Sequence, residues 1–463
     1  MEATPFLAGW IQNQRPRAMS SKNSTVFYRN LEETLDLRRK QRTCYTLKDS
    51  PWKYSDAVDF SSNDTLSLNN SGRLRSEFMK ELASHPNLPV GSTGSRIMDG
   101  NSEYIELVER EISRFHGAES GLIFGSGFEA NMAVLAAVPR PGDAIVYDEL
   151  VHASIHDGML HSQALTRTPF RHNDPDVFYE VLESVRSSQP LVAQGKRCVI
   201  IAVESVYSMD GDICPLRELV TIANDVLPAG NAQFFIDEAH STGVIGPSGA
   251  GLVNELGLEG EIAIRVHTFG KAMGSNGAIV LGNQTLKTAV TNLARPFIYT
   301  TAPSFPAIAA IRAAYKLVAN EKTNAARAHV QDLVKYFFVK IGRDSIWEDA
   351  VARGILSVPL ADDWEDAPLH SHIVPIRTRD SYSYYLMFHL QLNKLCVFPV
   401  EYPTVPKGQG RVRLAFHADN TKEDVDTLIS TICEWAKEMM KIEDDDTAGE
   451  KVPSAARLVY TLI

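Results

Sequence analysis

Short apolar runs alternate with amphipathic stretches through the middle of the chain. The runs have the length of buried strands and occupy residues 121–124, 144–147, 198–203, 233–237, 263–268 and 278–282. Between them the pattern predicts helices at residues 131–137, 175–185 and 215–226. Short buried strands separated by helices are typical of a mainly parallel sheet with helices on both faces. The pattern therefore predicts an α/β fold.

The pattern changes near residue 310. A long amphipathic helix is predicted over residues 305–339, followed by shorter strands near 372–376, 395–400 and 411–416. We interpret this part as a second, smaller α/β domain. The predicted organisation is, in chain order, an N-terminal arm at 1–60, a large domain at 61–310, a small C-terminal domain at 311–440 and an acidic tail at 441–463. The acidic run at 443–446 is interpreted as a solvated segment.

Composition and charge exclude several classes of function. The chain has 463 residues and a formal net charge of −11, which argues against nonspecific binding to nucleic acid or to an anionic membrane. No apolar run approaches the roughly 20 residues that cross a bilayer, so no membrane span is expected. The five cysteines form no CxxC pair, so no disulfide framework or metal site is predicted, and a reducing compartment is favoured. We predict a cytoplasmic protein, with mitochondrial import as the alternative because the first thirty residues are basic.

One predicted strand ends in an acidic residue. The apolar run at 234–236 leads directly into Asp237, and His240 follows three residues later. Ligands of open parallel sheets bind beyond the carboxyl ends of the strands. A carboxylate buried there needs a cationic partner, and a protonated pyridine nitrogen would supply one. An aspartate that caps the next helix is the alternative interpretation.

The next strand leads into Lys271, which stands among small residues 34 positions after Asp237. Burial depresses the pKa of a lysine, which favours the neutral amine that forms an imine. A surface lysine in a glycine loop is the alternative. The turn around Gly127 follows another strand and opens a helix, where backbone N–H groups can hold an anion. Together these features form the set that a pyridoxal phosphate site requires.

From Asp59 to Arg413 these motifs resemble, in order, the α-oxoamine synthase family. Its members are fold-type-I pyridoxal phosphate enzymes that condense an amino acid with an acyl thioester and lose carbon dioxide. The 8-amino-7-oxononanoate synthase type is the most similar, through His-Asn-Asp at 172–174 and Tyr-Ser-Met-Asp-Gly-Asp at 207–212. The resemblance implies a large domain with a mainly parallel sheet, a smaller C-terminal α/β domain, and a small amino acid and an acyl thioester (acyl-CoA or carrier-bound) as substrates.

The resemblance also implies roles for individual residues. Cofactor contacts would come from Gly127, Phe128, His152, Ser208, Asp237, His240, Thr268, Lys271 and Thr301. Those implied to be catalytic are Lys271 as the Schiff-base lysine and proton shuttle, Asp237 on the pyridine nitrogen, His152 stacked on the ring and His240 on the phenolic oxygen. Asn63 and Arg413 match positions that hold the substrate carboxylate. Thr301 would reach the phosphate of a neighbouring subunit, which implies a homodimer with a shared active site.

Three positions depart from the family pattern. The glycine-rich segment at 91–96 reads Gly-Ser-Thr-Gly-Ser-Arg, and Ile105 stands where a histidine is frequent. Glu401 stands where some members place an arginine that faces the substrate. An acidic residue there would repel a carboxylated acyl chain such as pimeloyl and would suit a different or longer acyl group.

Other functions remain open at this point. A specialised-metabolism relative would take a polyketide or long-chain acyl thioester with alanine, serine or glycine. A class II aminotransferase would share the fold but would release no coenzyme A. A catalytically silent partner subunit would lack the lysine, whereas Lys271 is present here.

Overall fold

The computed structural model describes residues 12, 15, 25–41, 44, 56–362, 364–379, 382–445 and 452–461. The chain divides into two compact units. The large unit comprises Asn63–Gln331 with His417–Asp419, and the small unit comprises Met1–Ser62, Asp332–Phe416 and Asn420–Ile463. Most of the predicted N-terminal arm at 1–60 lies outside the described residues, which include one helix of it, Val26–Lys40.

The strands of the described residues are numbered in chain order. They are β1 (Val58–Asp59), β2 (Ser120–Phe124), β3 (Ala144–Asp148), β4 (Thr166–Phe170), β5 (Val199–Glu204), β6 (Ala232–Asp237), β7 (Ile264–Thr268), β8 (Ala278–Gly282), β9 (Leu356–Ser357), β10 (Ile373–Thr378), β11 (Leu395–Cys396), β12 (Phe398–Val400) and β13 (Arg411–Ala415).

The large unit contains a seven-stranded sheet with the order β2-β8-β7-β6-β5-β3-β4. The pairs from β4 to β7 are parallel, and β8 runs antiparallel to both of its neighbours. Every residue of β5 is buried, as expected for a strand covered on both faces. The predicted α/β class with a mainly parallel sheet is therefore confirmed. Because these strands share one direction, their carboxyl ends meet at one edge, which we call the carboxyl edge.

Helices connect the strands of the large unit. Their bounds are Arg73–Ser84, Glu103–Phe115, Gly127–Ala137, Ala153–Leu160, Pro175–Ser188, Pro190–Ala193, Leu216–Val226, Leu252–Leu256, Gln284–Leu293, Arg295–Ile298 and Phe305–Val318. The next helix, Glu321–Ile341, begins in the sequence of the large unit and ends in that of the small unit, which resumes at Asp332.

The prediction of one long helix over 305–339 is wrong, because the helix ends at Val318 and a new one begins at Glu321. The hydroxyl of Thr323 explains the break. It donates to the carbonyl oxygens of Val318 (2.9 Å) and Asn320 (2.8 Å), which lie where the first helix ends. A threonine that satisfies these carbonyls favours termination where apolar periodicity alone predicts continuity.

The small unit contains an antiparallel sheet with the order β12-β13-β10-β9 and a parallel pair, β1-β11. Its further helices are Ser345–Ala352, Tyr382–Leu392, Lys422–Asp444 and Ser454–Thr461. The predicted acidic tail differs from the structure, since residue 443 is still helical. Arg379 Nη1 and the Tyr382 hydroxyl each donate to the Glu443 carboxylate at 2.7 Å, so part of the acidic run is neutralised by partners distant in sequence.

Three further observations concern the cysteines, membrane spans and metal ligands. The five cysteines are free thiols. Among the residues described, no helix is long and apolar enough to cross a membrane. Within the same residues, no group of three or more His, Cys, Asp or Glu side chains is arranged to hold a metal ion.

A buried carboxylate fastens three helices of the large unit together. Glu81 is 2% exposed and accepts hydrogen bonds from the Tyr104 hydroxyl and Arg312 Nη1, both at 2.8 Å, and from Lys316 Nζ at 2.5 Å. Burial alone would raise the pKa of Glu81, but the hydrogen bonds from Lys316, Tyr104 and Arg312 lower it to about 2.

This pKa predicts acid sensitivity. A carboxyl group whose pKa is depressed in the folded state stabilises the protein above its unfolded pKa, and that stability is lost as the pH falls toward about 2. We expect Glu81→Gln to lower the urea midpoint of unfolding at pH 7. The midpoint of this variant should also decrease less than that of the wild type as the pH is lowered from 7 to 3. Glu77→Gln, on the same helix but in an exposed pair with Lys80, should change neither. Equal behaviour of the two variants would contradict this role.

Candidate active site

Asp237 lies at the carboxyl edge, where the buried strand β6 ends. Its side chain is 5% exposed. Oδ1 accepts a hydrogen bond from the amide of Ala239 (2.9 Å), and Oδ2 accepts one from Asn131 Nδ2 (2.6 Å). Two donors therefore support a buried charge, as the burial of an ion requires.

A chain of hydrogen bonds connects Asp237 with His152. Asn131, on the helix Gly127–Ala137, also donates to Ser154 Oγ at 3.0 Å. That oxygen lies 2.7 Å from His152 Nδ1, and the same nitrogen accepts the amide of Ser154 at 3.2 Å, which caps the helix Ala153–Leu160. The ring of His152 is thereby oriented by its own helix and through Asn131 by the buried carboxylate.

Lys271 stands in a tight turn after strand β7. The amide of Gly274 donates to the Lys271 carbonyl at 2.7 Å, and the amide of Ser275 donates to the Phe269 carbonyl at 2.8 Å. Gly274 has a φ of +61°, a conformation that glycine adopts without strain. The half-buried side chain of Lys271 reaches back to the sheet, where Nζ lies 2.7 Å from Nε2 of the buried His240.

The start of the helix Gly127–Ala137 approaches strand β7 closely. Ser126 caps this helix by accepting the amide of Glu129 at 3.1 Å. A Cβ atom on Gly127 would lie 2.1 Å from Thr268 Oγ1. Only glycine therefore lets the first backbone N–H groups of the helix converge with the Thr268 hydroxyl. The neighbouring ring of Phe128 is 44% exposed and stands edge-on to His152, with 6.1 Å between the ring centroids.

Glu204 is a buried residue of this edge for which the sequence predicted no role. It ends strand β5 and pairs in register with Asp237 on β6. Burial and the charge of Asp237 raise the pKa of Glu204 well above its ordinary value. The signal that singled out Asp237, an acid at the end of an apolar strand, is also present at Glu204.

The other predicted residues lie in different parts of the chain. Ser208 is half-buried in the loop after β5, Thr301 is exposed, and Asn63 is half-buried at the beginning of the large unit. Arg413 belongs to β13 of the small unit, where burial lowers the pKa of its guanidinium to about 10, so it is cationic at neutral pH. The structure brings together the predicted residues at the ends of β6 and β7 and at the starts of the helices Gly127–Ala137 and Ala153–Leu160. The roles predicted for all of these residues remain proposals.

Glu401 lies in the small unit directly after β12. Its carboxylate accepts a hydrogen bond from the hydroxyl of Ser383, on the helix Tyr382–Leu392. A Cβ atom on Gly410 would come within 2.3 Å of Glu401 Oε1. The missing side chain at 410 therefore makes the space that the carboxylate occupies.

Known proteins resemble this chain along most of its length. Residues 55–432 match the aminotransferase class I and II family. The aminoacyl transferase sphA of Aspergillus fumigatus is 51% identical over 457 residues, which cover 99% of this chain and 97% of that protein. The 8-amino-7-oxononanoate synthase of Emericella nidulans is 46% identical over 389 residues, which cover 84% of this chain and 91% of that protein.

Solved structures share the fold. The serine palmitoyltransferase of Sphingomonas wittichii superposes with a TM-score of 0.69 at 22% identity, covering 82% of this chain and 87% of that one. The 8-amino-7-oxononanoate synthase of Francisella tularensis superposes with a TM-score of 0.62 at 25% identity, covering 82% of this chain and 98% of that one.

The chain belongs to the aminotransferase class I and II family, the fold-type-I pyridoxal phosphate enzymes. Within this family it is of the α-oxoamine synthase type. The family, fold class, cofactor and acyltransferase reaction type predicted from the sequence are therefore confirmed.

The residues at the carboxyl edge fit pyridoxal phosphate. The Gly127 turn, a helix start and the Thr268 hydroxyl form a cradle for a phosphate, and an added Cβ would fill it. The buried carboxylate of Asp237 suits a protonated pyridine nitrogen, and Lys271 offers an amine for the aldehyde. A polar group of suitable chemistry is thus present for each of the three ends of the cofactor.

We expect Gly127→Ala to weaken cofactor binding, because the added methyl group would clash with Thr268 Oγ1 and displace the phosphate cradle. Overpacking of this kind costs about 1–3 kcal/mol, so the Kd of the apoprotein for pyridoxal phosphate should rise roughly tenfold. Fluorescence titration of the apoprotein measures it. Gly260→Ala is the matched control, since a Cβ there meets nothing within 4 Å. An unchanged Kd in Gly127→Ala would refute the cradle.

Proposed function

We propose that this chain condenses a small amino acid with an uncharged acyl thioester at the carboxyl edge of the large unit. The observation that carries the proposal is the 2.7 Å approach of Lys271 Nζ to His240 Nε2, in a turn that follows the strand next to Asp237. A mobile amine beside an imidazole can accept and return a proton at one substrate carbon.

Each residue at the edge has a separate task in this proposal. Pyridoxal phosphate, when bound, supplies an electron sink for the α-carbon of an amino acid. The Gly127 amide and the Thr268 hydroxyl hold its phosphate, and Asp237 keeps the proton on its pyridine nitrogen. Lys271 takes the α-proton of the substrate. The acyl group is then transferred from sulfur to the α-carbon, the thiol leaves, and carbon dioxide is lost.

The remaining predicted contacts complete the site. His152 stacks on the ring, and the backbone of Phe128 contacts the cofactor. Ser208 lines the pocket near the ring, and His240 bonds the phenolic oxygen. Asn63 and Arg413 bind the substrate carboxylate, which the cationic state of Arg413 at neutral pH supports. The exposed position of Thr301 supports a role toward a second copy of the chain, and we propose a homodimer.

One observation supports an uncharged acyl group. Glu401 places a carboxylate where some family members carry a substrate-facing arginine, which disfavours an acyl chain with its own carboxylate. The comparison supports an acyl substrate other than that of an 8-amino-7-oxononanoate synthase, because two aminoacyl transferases match 99% of this chain and the Emericella nidulans 8-amino-7-oxononanoate synthase matches 84%.

The reaction is tested by release of free thiol. Purified protein is incubated with alanine, serine or glycine and with acyl-CoA substrates of increasing length, and the free coenzyme A is measured. We expect Lys271→Ala to abolish thiol release and the absorbance of the lysine-bound cofactor. Lys196→Ala, which changes an exposed lysine of the same unit, should retain both. Turnover by Lys271→Ala would overturn the proposed role, and transamination without thiol release would favour a class II aminotransferase.

The acyl preference is tested at residue 401. We expect the wild type to use a neutral acyl-CoA more efficiently than pimeloyl-CoA, because the second carboxylate of pimeloyl is repelled. Glu401→Gln keeps an acceptor for Ser383 but removes the charge. It should raise kcat/KM for pimeloyl-CoA about tenfold, a change of roughly 1.4 kcal/mol, and leave the neutral substrate unchanged. An equal change with both substrates would show that Glu401 acts on the fold and not on acyl selection.

A further inference from the structure

A histidine of the large unit lies between two carboxylates near the carboxyl edge. His172 follows strand β4, in the His-Asn-Asp segment that precedes the helix Pro175–Ser188. Its Nδ1 lies 2.9 Å from Oδ1 of Asp148, the buried last residue of β3. Its Nε2 is hydrogen-bonded to the carboxylate of Asp212. The two acids come from different parts of the sequence and are connected through this ring.

The hydrogen bonds decide the charge of the ring. An ionised carboxylate has no proton to donate, so a ring that bonds carboxylates through both nitrogens must carry a proton on each. His172 is therefore an imidazolium. Burial lowers its pKa, but the hydrogen bonds to Asp148 and Asp212 outweigh burial and raise that pKa to about 10.

The other groups around the ring do not oppose this charge. Glu149, next to Asp148, accepts the backbone amide of His172 at 3.2 Å. The ring of Tyr207 stands edge-on, 4.4 Å from the imidazole between centroids. On the histidine's own segment, Arg171 and Asp174 are paired with each other.

Asn173 reinforces the same arrangement. Its amide donates to Asp148 Oδ2 at 2.8 Å, and its side-chain Nδ2 donates to Asp212 Oδ2 at 2.6 Å. Its φ of +46° lies in the left-handed region, which asparagine tolerates better than most residues. Two consecutive residues therefore each contact both carboxylates.

Asp212 belongs to a folded loop that carries Ser208. Val206 and Ile213 form an antiparallel bridge across it. The amide of Tyr207 donates to the Asp212 carbonyl at 3.1 Å, and the amide of Gly211 donates to the Tyr207 carbonyl at 2.8 Å. The loop is thus a short hairpin with Ser208 at its turn, and the Asp212 side chain connects its returning strand to His172.

We propose that His172, as an imidazolium between Asp148 and Asp212, is a positioning residue that fixes the 205–214 loop, and with it Ser208, at the cofactor site. The role of Ser208 in this proposal rests on the proposed function. Without the central cation, two carboxylates would face each other across the loop and repel. With it, each negative charge has a partner, and the turn that carries Ser208 is tied to the end of β3.

The sign of the pH dependence follows from the raised pKa. A histidine whose pKa is higher in the folded state stabilises that state fully below its unfolded pKa near 6.5, and the contribution is lost as the pH rises toward about 10. The loop should therefore be held across the neutral range and loosen in alkali, the reverse of a histidine that is buried in its neutral form.

The charge state is tested on the apoprotein. Histidine Cε1 resonances are followed by NMR from pH 5.5 to 9, and the signal of His172 is assigned by its loss in His172→Gln. We expect the His172 resonance to keep the chemical shift of an imidazolium, without a titration step near pH 6.5. A normal titration of that resonance would overturn the proposed imidazolium between Asp148 and Asp212. The measurement needs no cofactor, so its result is independent of the proposed function.

The positioning role is tested by cofactor affinity. We expect His172→Gln and Ser208→Ala each to raise the Kd for pyridoxal phosphate about tenfold, the scale of a lost hydrogen bond to a charged group. The double variant should be no weaker than either single variant, because both changes remove the same contact. His161→Gln, which alters an exposed histidine of the same unit, should keep the wild-type Kd.

The outcomes separate the two claims. Additive losses in the double variant, or a wild-type Kd in His172→Gln, would overturn the positioning role while leaving the proposed function intact. A wild-type chain that does not bind pyridoxal phosphate would instead overturn the proposed function. If His172→Gln fails to fold, Asp212→Asn replaces it, since it removes one of the two charges and keeps the shape. The same weakening of cofactor binding is then expected, and an unchanged Kd would refute the proposal.

Discussion

The burial of one carboxylate constrains the arrangement of the active-site edge. Asp237 is almost completely removed from water, and an ion in that position keeps its charge only if donors and an opposite charge surround it. Asn131 and the amide of Ala239 are the donors, while burial and the charge of Asp237 raise the pKa of Glu204, its neighbour across the strands. The parallel sheet makes this arrangement of donors and acids possible, because it places the last residues of several strands side by side at the carboxyl edge.

The sheet and the core of the site could be read from the sequence for a physical reason. A parallel strand covered on both faces is apolar throughout, so a polar residue at its end is conspicuous. Asp237 and Lys271 are recognisable on this basis, and the glycine at 127 marks the place where two backbones come close. Family resemblance then gave each of them a role.

The parts that escaped prediction depend on contacts between distant segments. Asn131 lies on a mostly apolar helix, and nothing local indicates that it bonds Asp237. Thr323 bonds carbonyls at the end of the preceding helix, and Glu443 is held by Arg379. Apolar periodicity predicts which face of a helix is buried, but it does not identify the hydrogen-bond partner that a distant segment contributes.

The crossover topology has a consequence for assembly. The proposed phosphate cradle joins Gly127 to Thr268, which are separated in the sequence by strands β3 to β6. Neither segment can form the cradle alone, so affinity for the cofactor depends on the placement of β2 and β7 on the two sides of β8. By mass action, a cofactor that binds only the folded chain stabilises it over the unfolded one.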